Sequence, residues 1–283
     1  MTYSPTIRRK RLSAALRQLR RDAGMTADEV ARKIGWNPSK ISRIESNEWR
    51  LPRVADVERL CEVYQASEQT RDALVTLARQ ARQRGWWEQY KDVLGDALPG
   101  LEAEATRILT YQPLLVPGLL QTPDYMRAVY RAGLVDEAEI ERRVQARMAR
   151  QRILDREHPP LVLWAVIDEA ALRKPVGGPA VMADQVHHLL EVSHRPTIRV
   201  QVLPDAVGAH AGMGGPIVIL EYEADPSIVY VEHAGTGDLY LESPEDVAGY
   251  TVRYASVMAA ALSVPDSIAY LQRMLERLKG EEA

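Results

Sequence analysis

The chain contains one cysteine, Cys61, no phenylalanine and no long apolar run among its 283 residues. A single cysteine excludes an internal disulfide and fits a reducing compartment. No apolar run approaches the roughly 18 residues that a membrane helix needs, so a membrane span is not expected. The basic residues near the start of the chain are followed by no apolar core, which is unlike a signal peptide. We therefore expect a cytoplasmic protein.

The common motifs of catalysis and cofactor binding are also missing. There is no G-x-S-x-G, no G-x-x-x-x-G-K-[ST], no H-E-x-x-H and no Cys/His cluster. His187 and His188 are adjacent in one helical region and point apart, so they are poor ligands for a shared metal ion. Other acidic residues and histidines follow predicted strands without visible pairing: Asp168, Glu169, Asp205, His210, Glu232 and His233. We expect no catalytic residues, no metal and no cofactor.

Charge divides the chain into two parts. Through Arg84 there are 18 Lys or Arg against 10 Asp or Glu, whereas the remainder has 18 against 29. Because neutralisation of phosphates supplies most non-specific affinity for nucleic acid, only the first part is expected to meet DNA. We predict two domains, over residues 1–84 and 85–283.

Residues 26–47 predict two short helices joined by a tight turn. Their apolar residues recur at steps of three and four, the period of helices that bury one face. These residues are Val30, Ala31, Ile34, Ile41 and Ile44. Thr26 and Glu29 have the spacing of a capping box, and Gly35 stands where the turn requires a positive φ. The pattern is typical of a helix-turn-helix.

The second of these helices has the polar outer face of a recognition helix. Lys and Arg can donate to guanine O6 and N7, and Ser can donate or accept. The residues expected to contact bases are Ser39, Lys40, Ser42 and Arg43. Contacts with the DNA backbone are expected from Arg8, Arg9, Lys10, Arg11, Thr26 and Arg50. The alternative is a helical pair with a basic face that is only solvated.

The basic run at residues 7–11 is interpreted as an N-terminal arm before a first helix over 12–23. The arm is either solvated or in contact with phosphates or the minor groove. Trp86 and Trp87 stand at the predicted domain boundary, and Trp164 lies in an apolar run further on. Packing is the simpler interpretation of these tryptophans, and a wall for a ligand or between domains is the alternative.

Residues 12–64 resemble the lambda-repressor-like (Xre-type) helix-turn-helix family. The resemblance is carried by LRQLR at 16–20, Ala31-x-x-x-Gly35, KISRIE at 40–45 and Leu51-Pro52. It implies a structural pair between Arg17 of the first helix and Glu45 at the end of the recognition helix. Where the family usually has Gly after that Glu, this chain has Ser46-Asn47, and Asn tolerates the left-handed conformation.

The remainder of the chain predicts a sheet covered by helices. Runs rich in β-branched residues predict strands at 161–167, 198–203, 217–222, 228–232 and 239–241. Helices are expected over 101–111, from 123, and over 137–157, 181–192, 244–262 and 266–279. The expected fold class is a mainly α N-terminal helix-turn-helix domain plus an α+β C-terminal domain with a mixed sheet.

Residues 84–275 resemble the C-terminal domain of the actinobacterial WhiJ-like helix-turn-helix proteins. The resemblance is carried by Trp86-Trp87, VPGLLQT at 116–122, RQRIL at 150–154, DEAALRKPVGG at 168–178 and VLP at 202–204. One departure is GGPI at 214–217, where relatives tend to have an aromatic residue. The resemblance implies an antitoxin-like regulator whose C-terminal domain has no established catalytic role, often encoded beside a small BldB-like partner protein.

Three functions are compatible with these features. The first is a homodimeric transcriptional regulator at the nucleoid, which binds an inverted-repeat operator in double-stranded DNA. A small acidic or neutral protein encoded nearby would control it. The second is the same regulator gated by a small molecule, and neighbouring genes would separate these two. The third, an enzyme with a DNA-targeting domain, requires carboxylates or histidines that converge in one cleft.

Overall fold

The computed structural model describes residues 4–49, 51–94, 97–232 and 238–281. The chain divides into two compact units. The N-terminal unit comprises Met1–Gln89 and Asp96–Glu104, and the C-terminal unit comprises Tyr90–Gly95 and Ala105–Ala283. Residues 85–89 and 96–104, which follow the predicted boundary at residue 84, thus belong to the N-terminal unit.

The N-terminal unit is helical. Its helices are α1 (Pro5–Asp22), α2 (Ala27–Ile34), α3 (Pro38–Glu45), α4 (Val54–Val63), α5 (Glu68–Gln80) and α7 (Ala97–Glu102). Leu12, Leu16, Val57 and Leu60 are fully buried in one apolar core shared by the first five helices. Cys61 lies in the same core, where burial raises the pKa of its thiol to about 11. This cysteine therefore packs as a small apolar residue.

Helix α1 begins at Pro5, so the interpretation of residues 7–11 as an unstructured arm is wrong. Ser4 caps the helix: its Oγ accepts the N–H of Ile7 at 3.4 Å and donates to the carbonyl oxygen of Gly100. Pro5 stands at the start of the helix, where its missing N–H costs nothing. Ile7 is buried, which fixes the helical start against the rest of the unit.

The C-terminal unit contains a mixed sheet. Within the described residues, six strands pair in the order β3-β2-β1-β4-β5-β6. They are β1 (Arg107–Gln112), β2 (Val162–Asp168), β3 (Ile198–Leu203), β4 (Ile217–Glu221), β5 (Ile228–Val231) and β6 (Leu239–Leu241). Strands β1, β2 and β3 are parallel, and β4, β5 and β6 each run antiparallel to the preceding neighbour in the sheet. The five strands predicted beyond residue 160 are confirmed.

The helix predicted over residues 101–111 is wrong, because β1 occupies residues 107–112 in the middle of the sheet. Ile108, Leu109, Thr110 and Tyr111 are all buried, with exposures of 1, 8, 4 and 1%. Burial on both faces removes the alternation that marks a half-exposed strand, so the apolar pattern alone does not separate strand from helix here.

The C-terminal unit combines this mixed sheet with helices, which confirms the predicted fold class. They are α6 (Lys91–Leu94), α8 (Pro123–Ala132), α9 (Glu137–Gln151), α10 (Glu169–Arg173), α11 (Pro179–Ser193), α12 (Pro244–Ala260) and α13 (Val264–Glu281). Tyr254 of α12 donates its hydroxyl to the carbonyl oxygen of Trp164 on β2 at 3.0 Å. Among the described residues no single helix is long and apolar enough to cross a membrane. The pair Pro244–Ala260 and Val264–Gly280, bent by 63°, meets the length and composition requirement only when taken together.

Buried glutamines hold the irregular segment between β1 and α8. Gln185 of α11 accepts the N–H of Thr122 at 2.7 Å and donates to the carbonyl oxygen of Leu120 at 2.7 Å. Gln121 donates to the carbonyl oxygen of Val116 at 2.8 Å. Because buried backbone groups outside regular structure still need partners, these side-chain amides replace the missing backbone pairing.

Candidate DNA interface

Helices α2 and α3 form the helix-turn-helix. Gly35 ends α2 with φ 68° and ψ 33°, a left-handed conformation that glycine adopts without strain. The Oγ1 of Thr26 accepts the N–H of Glu29 at 3.2 Å, and Glu29 accepts the N–H of Thr26 at 2.8 Å. The bonds from Thr26 hold the pKa of Glu29 below its ordinary value. The predicted capping box and left-handed turn are confirmed.

Helix α3 has one apolar and one polar face. Ile41 and Ile44 are 0 and 2% exposed in the core of the unit. On the opposite side three of the residues predicted to contact bases are exposed: Ser39, Ser42 and Arg43. Hydroxyl and guanidinium groups on an exposed helix face can bond to base edges in a major groove.

Glu45, at the end of α3, is bound by Arg20 and not by Arg17. Nε and Nη2 of Arg20 donate to the two carboxylate oxygens at 2.7 and 2.8 Å, and Nη1 donates to the carbonyl oxygen of Met25 at 2.7 Å. The bond to Glu45 raises the pKa of Arg20. The expected pair with Arg17 is wrong because Arg17 lies on the exposed side of α1. Arg20 follows the buried Leu16 by four residues and so shares its face.

Lys40, which is also predicted to contact bases, is half-buried and has partners within the unit. Its Nζ lies 2.9 Å from Oδ2 of Asp56 on α4 and 3.4 Å from the ring centroid of Trp36. The ion pair and the cation–π contact both occupy the ammonium group. Asp56 therefore partly neutralises the charge that Lys40 presents and competes with DNA for its ammonium group.

The basic residues of α1 that were expected to contact the DNA backbone have intramolecular partners. Nε of Arg8 and Nη2 of Arg11 lie 3.2 and 3.7 Å from the carboxylate of Glu104. Lys10 lies in the same helix and is half-buried. The contacts of Arg8 and Arg11 with Glu104 stabilise the docking of α7 onto α1, because α7 ends two residues before Glu104.

Two more residues expected to contact the DNA backbone, Arg9 and Thr26, lie beside the helix-turn-helix. Nε of Arg9 donates to Oδ1 of Asn47 at 3.0 Å. Asn47 has a φ of 62°, so the left-handed turn predicted after α3 is confirmed. The hydroxyl of Thr26 donates to Glu29 at 2.8 Å within the capping box. Arg50 lies outside the described residues.

The three tryptophans singled out in the sequence make packing contacts. Trp86 and Trp87 meet edge to face, with ring centroids 5.9 Å apart. Trp87 is 4% exposed, and its ring covers Gly85 so closely that no Cβ fits there. Trp164, in the C-terminal unit, donates its Nε1–H to Oε1 of Gln201 at 2.6 Å. Each ring thus contributes to the packing of its own unit.

At the carboxyl ends of β1 and β2 the fold brings together side chains whose pairing is not visible in the sequence. Tyr111 donates its hydroxyl to Oδ2 of Asp168 at 2.8 Å, and Nε2 of His210 lies 3.8 Å from the same oxygen. Nδ1 of His210 accepts the N–H of Gly212 at 3.1 Å, so Nε2 carries the proton in the neutral ring. Burial, and then the bond to Asp168, raise the pKa of Tyr111. The cluster fixes the turn Ala211–Gly214 against the strand ends.

The neighbouring carboxylates have structural partners. Glu169 accepts the N–H of Asp205 at 2.9 Å and the hydroxyl of Tyr270 at 3.0 Å. Arg173 pairs with Asp205. His233 lies outside the described residues. In the described ranges no group of three or more His, Cys, Asp or Glu side chains is placed to hold a metal ion.

Two protein families match the chain. Residues 96–273 match the family described as Domain of unknown function (DUF5753), and residues 11–74 match the family described as Helix-turn-helix domain. The chain belongs to the DUF5753 family. No curated protein and no solved structure shows a significant match. Together with the geometry of α2 and α3, the second match identifies this DUF5753 protein as a DNA-binding regulator with a helix-turn-helix.

Three residues that shape the interface were not identified from the sequence of this DUF5753 protein. Asn37 caps α3, because its Oδ1 accepts the N–H of Ser39 at 2.9 Å. An Asn directly before a Pro that begins a helix is a recognisable start signal. Arg20 and Asp56 carry no such local signal, because each acts on a different helix from its own.

Replacing Arg20 with Ala is expected to destabilise the N-terminal unit by about 2–4 kcal/mol. The change leaves the carboxylate of Glu45, whose side chain is 8% exposed, without its charged partner. Urea unfolding followed by tryptophan fluorescence measures the loss. The matched control is Arg17→Ala on the exposed side of the same helix, which should change the free energy of unfolding by less than about 0.5 kcal/mol. Equal losses in the two variants would contradict the assignment.

Replacing Asp56 with Asn is expected to release Lys40 and tighten binding to random-sequence DNA. One added phosphate contact steepens the fall of log K with log salt concentration by about 0.9. Fluorescence anisotropy over a range of salt concentrations measures both effects. Glu58→Gln, an exposed position of the same helix, changes the net charge equally and serves as the control. If the two variants behave alike, Asp56 does not restrain Lys40.

Proposed function

We propose that this protein is a WhiJ-like, antitoxin-like transcriptional regulator that binds an inverted-repeat operator as a homodimer. The proposal rests on the two faces of α3. Ile41 and Ile44 lie in the core, and Ser39, Ser42 and Arg43 are exposed on the other face. Two such helices on a twofold axis would enter successive major grooves about one DNA turn apart. The nucleoid is then its site of action.

In this proposal Arg43 carries most of the base discrimination. It is exposed, and among the described residues no carboxylate lies within ion-pair distance of its guanidinium. Ser39 and Ser42 add hydrogen bonds, and Lys40 joins them once DNA replaces Asp56 as its partner. Phosphate contacts would come from Arg8, Arg9, Lys10 and Arg11 of α1, where DNA would replace partners such as Glu104 and Asn47, and from Thr26 and Arg50.

Residues 1–84 supply DNA binding in this proposal, and residues 85–283 supply control. The second part carries 29 acidic against 18 basic residues, so it is repelled from DNA and suited to other partners. Dimerisation belongs there as well, because the DNA-binding face has to stay open. A small BldB-like protein is the proposed partner. A small-molecule effector is the alternative, and it is favoured by the arginine described in the next subsection.

Replacing Arg43 with Ala should weaken operator binding by about 1–3 kcal/mol and relax the preference at one base position. The physical reason is the loss of a bidentate contact to a base edge, which random DNA does not offer in the same register. Selection of binding sites from a random pool, followed by anisotropy on operator and random duplexes, measures both effects. Arg253→Ala, an exposed position of α12, is the control. Equal losses on operator and random DNA would refute the role of Arg43.

Genome-wide binding of the tagged protein, with identification of co-purifying proteins, tests the remaining proposal. We expect sharp inverted-repeat sites, a dimer in analytical ultracentrifugation and one small stoichiometric companion. Sharp sites with no companion would favour the small-molecule alternative. A monomer bound at single half-sites would contradict the homodimer.

A further inference from the structure

Arg147 of α9 carries a partly buried charge without a charged partner in contact. Its Nη1 donates to Oε1 of Gln121 at 2.8 Å, and its guanidinium carbon lies 4.7 Å from the ring centroid of Tyr130. Both of these neighbours are neutral. Among the residues that the structure describes, no carboxylate lies within ion-pair distance of Arg147, and Glu232 acts on it only from further away.

Further positive charge surrounds Arg147. Arg143, one turn earlier on α9, lies over the same Tyr130 ring with its guanidinium carbon 5.9 Å from the centroid. Its own charge is paired with Glu139 at 3.0 Å. Burial lowers the pKa of Arg147, Tyr130 and Glu232 oppose that shift, and the charges of Arg150 and Arg143 add to it. A desolvated cation beside other cations is unfavourable unless an anion offsets it. Among the described residues no anion in contact with Arg147 offsets this cost, and Glu232 offsets it only from further away.

The surroundings of Arg147 are rigid enough to orient a ligand. Gln121 is 3% exposed and uses its Nε2 on the carbonyl oxygen of Val116, so its Oε1 stays directed at Arg147. Gln151, one turn further along α9, donates to the carbonyl oxygens of Gly118 and Gln121 at 2.9 and 2.8 Å. These bonds join α9 to the VPGLLQT segment at residues 116–122, a motif that DNA binding does not explain.

We propose that Arg147 anchors a binding site for the oxyanion of a small-molecule ligand, a carboxylate or a phosphate. The guanidinium has five N–H donors in a planar fork, and Gln121 uses one of them. An oxyanion is the group that such a fork binds in bidentate geometry. Tyr130 and Arg143 form the adjacent wall, and Gln121 sets the plane of the guanidinium.

Binding of inorganic phosphate and of succinate to the full chain tests this site directly. Isothermal titration calorimetry at constant ionic strength, with chloride as the balancing anion, should show saturable binding of about one anion per chain. Arg147→Gln should lower the affinity at least about tenfold, because a charge-assisted hydrogen bond is lost. Tighter binding of phosphate would identify a phosphorylated ligand, and tighter binding of succinate a carboxylic acid.

Two further variants make the result decisive. Arg253→Gln removes an exposed arginine whose guanidinium lies 5.3 Å from the ring centroid of Tyr250, and it should leave anion binding unchanged. If Arg147→Gln fails to fold by far-UV circular dichroism, Arg147→Lys keeps the charge, loses the fork and should still bind several-fold more weakly. Unchanged affinity in the folded Arg147 variant, or no saturable binding of either anion to the wild-type chain, would overturn the proposal. The measurement involves no DNA, so its failure is independent of the regulatory function.

Discussion

The bidentate bond between Arg20 and Glu45 is the contact on which the geometry of the helix-turn-helix depends. Helix α3 has eight residues, too few to be stable by itself, so its orientation comes from what holds it. Burial of Ile41 and Ile44 stabilises the helix without fixing its orientation. The hydrogen bonds from Arg20 to Glu45 are directional and fix that orientation. The same guanidinium binds the carbonyl oxygen of Met25 just before α2, so one side chain fixes the entry to the motif and its exit. A face that distinguishes bases has to be held this firmly, since hydrogen bonds lose strength steeply with misalignment.

Local chemistry determined the parts of this motif that the sequence predicted correctly. Thr26 with Glu29, Gly35 and Asn47 each act within a few residues, and each stands as expected. The errors concern contacts between distant residues. Ser4 caps α1 while bonded to Gly100, 96 residues away, and no local pattern announces that bond. Arg17 and Arg20 differ only by rotation around one helix, and a family resemblance alone did not fix which of them reaches Glu45.

The C-terminal unit shows the same distinction on a larger scale. Strands with β-branched runs were predicted, whereas β1 was not, because its burial comes from neighbours that are distant in sequence. Tyr111, Asp168 and His210 meet only because β1 and β2 are parallel and a later loop returns to their ends. The sequence around Arg147 contains several arginines and does not single it out. Only the fold shows that, among the described residues, no carboxylate contacts it. Which side chains contact each other depends on the fold. Net charge and local capping patterns can be read from the sequence.

The chain passes between its two units three times, after Gln89, before Asp96 and after Glu104. Helix α7 therefore belongs with the DNA-binding helices although it follows a segment of the other unit, and Ser4 donates its N–H to Glu104 at 2.7 Å. This connection has an evolutionary consequence. Recombination that attached a foreign helix-turn-helix at a junction near residue 84 would separate the start of α1 from the residues that complete it. A junction beyond residue 104 keeps the N-terminal unit intact but carries residues 90–95 away from the C-terminal unit, so no single junction exchanges one unit whole.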